Sequence, residues 1–125
     1  MRYEEVRPVS RDEADAAFSS GSPEAISRAL VSIAYHDDDW RWVQDTCIAF
    51  TNYPDPQVSG LAVTCLGHLA RIHGTLDMEK VLPVLQKLRS DPKIAGRVDD
   101  ALDDIEMYLH NKAKSSRLSR GLDPH

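Results

Sequence analysis

The chain has 125 residues, 42% of them hydrophobic and 28% charged, with a net charge of −5. That length is enough for one domain with a core of its own, and the composition is that of a globular chain, which sets wholesale disorder aside. No apolar run approaches the roughly 20 residues that cross a bilayer, so no membrane span is expected.

Charge is unevenly distributed. Residues 112–125 carry Lys112, Lys114, Arg117 and Arg120 against Asp123, a balance of +3, which leaves residues 1–111 at −8. An acidic body repels phosphate backbones and favours a basic partner, so nucleic acid is not expected. Residues 112–125 lack an apolar period and read as a disordered basic tail after a single domain, 1–111. No apolar stretch follows the first five residues, so no secretory signal is expected. Cys47 and Cys65 each sit in an apolar helical pattern, as buried free thiols do, and imply a cytoplasmic location.

In chain order, Ser10 and Glu13 form a capping box that opens a short helix, and Gly21 can take the left-handed conformation beyond it. Ser22-Pro23 opens a second helix with apolar positions Ile26, Ala29, Leu30 and Ile33. Asp37-Asp38-Asp39 caps a third, carrying Trp40, Val43, Cys47 and Phe50 inward. Asp55-Pro56 opens a fourth, with Val58, Leu61, Ala62, Cys65, Leu66, Leu69 and Ile72 on one face and Gly74 as its stop. His73 is expected to contact the free carbonyls there. Asp77 opens a fifth helix, with Val81, Leu82, Leu85 and Leu88 inward and Pro83 inside it. Asp91-Pro92 opens a sixth, with Ile94, Val98, Ala101, Leu102, Ile105 and Leu109 inward. No strand-like alternation competes, and the expected class is all-α.

The helices repeat. Asp55-Pro56-Gln57-Val58-Ser59-Gly60 matches Asp91-Pro92-Lys93-Ile94-Ala95-Gly96 at an offset of 36, and Ser22-Pro23 aligns on Asp55-Pro56 at an offset of 33. A period of this size built from helix pairs marks a helical solenoid. Ser27, Gly60 and Gly96 share one small repeat position. A helical Gly costs about 1 kcal/mol against Ala, so either a close backbone approach or a ligand is expected to lie against it.

Asp55-Pro56-Gln57-Val58, followed by Ala62 and Leu66-Gly67-His68-Leu69, resembles the second helix of a HEAT repeat. The resemblance covers residues 22–109, with the first repeat degenerate, and departs from the usual pattern at Ser59 and Ala95, where a basic residue is common. It implies a short right-handed solenoid of about three helix pairs, with the second helices (23–36, 55–74 and 92–109) lining a concave face. HEAT-like proteins are mostly scaffolds and adaptors, and small acidic ones resemble immunity factors that neutralise a toxin by covering it.

On that face, helical geometry aligns Gln57, Gly60, Thr64, His68 and Arg71 in one stripe, with Lys93, Gly96, Asp100, Asp104 and Met107 as their equivalents. Tyr35, His68 and Asp104 then form a row across neighbouring helices about 10 Å apart. Asp99, Asp100, Asp103, Asp104 and Glu106 crowd one helix, either as a solvated face or to meet a basic partner. Trp42, two residues from Trp40, points elsewhere and is read as an exposed aromatic of the kind enriched at interfaces, or else as packed under the first helix. His36 beside three aspartates lacks the spacing of a calcium loop, so neither metal nor cofactor is expected.

These signals predict a non-catalytic module that binds a basic protein through Tyr35, Trp42, Thr64, His68, Arg71, Asp100, Asp103 and Asp104. The alternative is a small enzyme or ligand-binding protein that uses Tyr35, His68 and Arg71.

Overall fold

The computed structural model describes residues 7–110, so the expected basic tail at 112–125 lies outside the described residues. Six α-helices follow one another: α1 Arg11–Phe18, α2 Pro23–His36, α3 Trp40–Phe50, α4 Pro56–His73, α5 Met78–Leu88 and α6 Ala95–Ile105, the last continuing into a π-helical turn, Glu106–His110. No strand occurs among the described residues.

The helix starts are written largely in the preceding side chains. Ser10 Oγ accepts the Glu13 N–H at 3.0 Å while Glu13 accepts the Ser10 N–H at 2.8 Å, a complete capping box. Ser22 accepts from Ala25, Asp39 from Trp42 and Asp55 from Gln57, with Pro23 and Pro56 in the first turns of α2 and α4. Gly74 ends α4 in the left-handed conformation, φ 67°, which a side chain would resist.

Asp91 departs from this pattern. Its carboxylate accepts the Lys93 N–H at 3.0 Å, but that opens only a single turn, and α6 begins after Ile94, whose φ of −128° leaves the helical region. The break seats Ile94, 3% exposed, in the core against Gly60. Asp77 precedes α5 without a side-chain cap. Its own N–H instead donates to Gln44 Oε1 at 2.7 Å, which gives the buried Gln44 amide a partner and ties α5 to α3. The helix runs on through Pro83, which stands exposed.

Packing centres on α4, which lies along α6 on one side, α2 on the other and α3 on a third, while α1 covers α2. Gly60 faces Ile94 and Arg97, and two turns later Gly67 faces Ala101 and Asp104. The constant direction of those pairs means α4 and α6 run parallel, side by side. Ile26, Leu30 and Ile33 from α2, Val43 and Cys47 from α3, Val58, Leu66 and Leu69 from α4, Val81 and Leu85 from α5, and Val98 and Ile105 from α6 make one buried cluster. Each fully buried Leu or Ile contributes roughly 1.5–3 kcal/mol.

Several expected core positions are not core. Leu102 is only half-buried. Ile72, next to last in α4, is 39% exposed. Of the two readings of Trp42, packing under the first helix is the one the structure shows, and Trp40, expected in the core, is only half-buried. Trp42 packs against the core with the Arg11 guanidinium 3.8 Å above its ring, whereas Trp40 opens α3 beside Arg41. Phe18 and Phe50 meet at 5.1 Å at the other end, so α1 lies parallel to α3 and covers that flank. Arg11 also pairs with Asp39 at 3.2 Å and Asp37 at 3.9 Å, so this part of the Asp run caps α3 and holds α1 down.

Cys47 and Cys65 are both buried and free. Hydrogen bonding with Cys65, and then burial, push the Cys47 thiol well above its usual pKa, so it stays protonated. His73 does not contact the terminal carbonyls as expected: its Nε2 is buried without a hydrogen-bond partner.

Candidate functional site

The parallel packing of α4 and α6, with α2 beside α4, brings the expected row together. The Tyr35 and His68 rings lie 5.3 Å apart, tilted by 36°. Arg71 Nη2 donates to His68 Nδ1 at 3.0 Å and reaches Tyr35 Oη at 3.5 Å. A guanidinium has only donors, so His68 must accept at Nδ1 and carry its proton on Nε2. Burial, then the Arg71 charge, hold the His68 pKa below the ordinary histidine value, against the opposing pull of Asp104. The imidazole is therefore neutral at neutral pH.

Small residues of α4 let α6 side chains cross it. Asp104 lies over Gly67, its Oδ2 3.2 Å from where a Cβ would stand, and the Ala101 backbone is equally near at 3.3 Å. Arg97 lies over Gly60 in the same way, its Cδ 2.7 Å from the missing Cβ, and donates from Nη1 to Thr64 Oγ1 at 2.9 Å. Gly60 thus makes room for a neighbouring side chain. Gly96, its repeat equivalent, faces open space and shows no close approach. Neither Arg97 nor the role of Gly67 stood out in the sequence. The 33-residue offset between Thr64 and Arg97 was the available signal.

Beside these contacts the surface dips into an open depression of about 430 Å³, lined by Thr64, Asp100, Ala101, Asp103 and Asp104. Asp100 and Asp103 are exposed, and Asp104 is half-buried. Three carboxylates around one depression make a negative field that attracts cationic side chains. Tyr35, Thr64, His68, Arg71, Asp100, Asp103 and Asp104 therefore share one face. Trp42 does not join them: it stands on α3 under Arg11 and is no free aromatic.

A general base needs an available lone pair, and the Arg71 guanidinium already occupies that of His68. Among the described residues, no three His, Cys, Asp or Glu side chains are grouped closely enough to hold a metal. No helix among them is long and apolar enough to cross a membrane.

No family model and no curated protein matches the chain. Among solved structures, it is similar to a chain in the crystal structure of the CDI complex from Cupriavidus taiwanensis LMG 19424. The two are 38% identical with a TM-score of 0.78, and the match covers 89% of this chain and 98% of that one.

Proposed function

Because the chain belongs to the same family as that component of the Cupriavidus taiwanensis CDI complex, we propose that it is the immunity protein of a contact-dependent inhibition system, one that binds and covers a basic toxin. The likeness over nearly the whole of both chains is the observation that carries this reading. The acidic depression between α4 and α6 favours the inhibitor's side of such a complex, since its carboxylates would occupy the cationic surface a toxin needs for an anionic substrate. Binding runs through Tyr35, Thr64, His68, Arg71, Asp100, Asp103 and Asp104, and takes place in the cytoplasm, where a delivered toxin would act. The side-by-side contacts of α2, α4 and α6 at offsets of 33 to 37 residues support reading the body as a short right-handed HEAT-like solenoid with this face on its concave side.

The test is protection. Cells producing the toxin encoded beside this chain's gene should survive when they also produce this chain, and the two proteins should co-purify. Growth arrest despite full expression, with no complex recovered, would sink the proposal.

A further inference from the structure

Four large apolar side chains stand exposed among the described residues: Tyr35 at 40%, Ile72 at 39%, Met107 at 50% and Tyr108 at 37%. They are far apart in sequence but fall at the same end of three helices that lie side by side in the order α2, α4, α6. Tyr35 is next to last in α2, Ile72 next to last in α4, and Met107 and Tyr108 sit in the turn that ends α6. The side-by-side register of α4 and α6 continues to this end, where α4 touches the π turn. Tyr35 reaches α4 through His68 and Arg71.

The turn itself is unusual. A π turn interrupts the regular helical register, and such turns recur at functional sites. Here it leaves Met107 and Tyr108 facing outward while Leu109 packs against the core. The acidic depression lies towards the same end, because Asp104 sits over Gly67, next in the chain to the His68 whose ring meets Tyr35. Exposed apolar side chains thus stand at the end of the helix that carries the three carboxylates of the depression.

We propose that this end is the anchoring half of the partner site: a basic protein surface is steered by Asp100, Asp103 and Asp104 and then held by apolar side chains of its own, laid across the helix ends against Met107 and Tyr108, with Ile72 and Tyr35 extending the row. The proposal rests on the immunity-protein reading and adds where affinity resides and what the partner must present. Charge complementarity selects the occupant: a second copy of this chain would bring its own carboxylates against these, whereas a cationic partner meets both halves at once. Exposed carboxylates govern the encounter rate, while a desolvated aromatic or methionine contact governs how long the complex lasts.

The experiment is binding kinetics between the full chain and the toxin encoded beside its gene, at low and high salt. The Met107→Ala/Tyr108→Ala pair should raise the dissociation rate by about tenfold or more and leave the association rate within about twofold. Met107→Leu with Tyr108→Phe should restore slow dissociation, which separates apolar contact from a folding defect. Asp100→Asn with Asp103→Asn should do the reverse, slowing association and flattening its salt dependence. If the wild-type chain does not bind that toxin, the immunity reading and this proposal fall together. If it binds and the alanine pair dissociates at the wild-type rate, only the anchor is overturned. A dimer of the free chain that the alanine pair dissolves would give this end to a second copy. Faster toxin binding after truncation beyond His110 would give it to the chain's own terminus. Either result also overturns the proposal.

Discussion

The Cα of Ala101 lies 3.3 Å from the point where a Cβ on Gly67 would stand, so α4 and α6 touch here at backbone distance. Backbone cannot step aside as a side-chain tip can. Gly67→Ala gains about 1 kcal/mol of helix propensity but incurs an overpacking cost of about 1–3 kcal/mol. The expected result is net destabilisation in a denaturant titration. Gly96→Ala, facing open space, should instead stabilise by up to about 1 kcal/mol. Equal and opposite-to-expected shifts would mean the two helices are not apposed as described.

Leu66 and Leu102 occupy equivalent repeat positions but unequal surroundings. Leu66 is fully buried, so Leu66→Ala should cost about 2–5 kcal/mol. Leu102 is half-buried, and Leu102→Ala should cost about 1–2 kcal/mol, less than half of its counterpart in a paired measurement.

Trp42 should behave as a packing residue. Trp42→Ala is expected to lower the melting temperature, through lost contact with the core and with the Arg11 guanidinium, and to leave dissociation of the proposed protein partner unchanged. A stable variant with fast dissociation would return Trp42 to the binding surface.

The His68 pKa lies below the ordinary histidine value in the folded chain, so the unfolded chain takes up a proton first as pH falls. The stability due to neutral His68 is therefore complete above the ordinary histidine pKa and is lost as pH drops through it towards the depressed value. Protonation also removes the lone pair that accepts from Arg71, which frees Tyr35. A titration of the His68 ring followed by NMR should give a midpoint below that of a histidine in an unfolded peptide, and Tyr35 resonances should move with it. In His68→Gln, this part of the acid destabilisation should be missing.

Much of the fold is legible in the sequence because it is local. Ser10, Ser22 and Asp55 announce helix starts through side chains two or three residues from the N–H groups they satisfy, and Gly74 announces an end through its own φ. The row Tyr35–His68 is legible through the repeat offset, which turns sequence distance into adjacency. Asp91 misleads because its local signal matches that of Asp55, while the start of α6 is set by burial of Ile94, a tertiary matter. The choice between the two readings of Trp42 has the same origin: period alone cannot show that α1 lies along the flank of α3. Arg97 and Asp104 are identifiable as charged residues from sequence. That each lies over a glycine of the neighbouring helix requires both helices at once.

The carboxylates of this face differ in how freely they can change over evolutionary time. Asp104 fits over Gly67 and Arg97 over Gly60, so replacing either alters the seam between two helices. Asp100 and Asp103, on the same helix, are exposed and carry no such fit. A lineage facing a new partner could therefore rewrite positions 100, 103 and 107 one at a time while the seam beneath stays fixed. Diversity among relatives should collect at those three sites and thin out at 60, 67, 97 and 104.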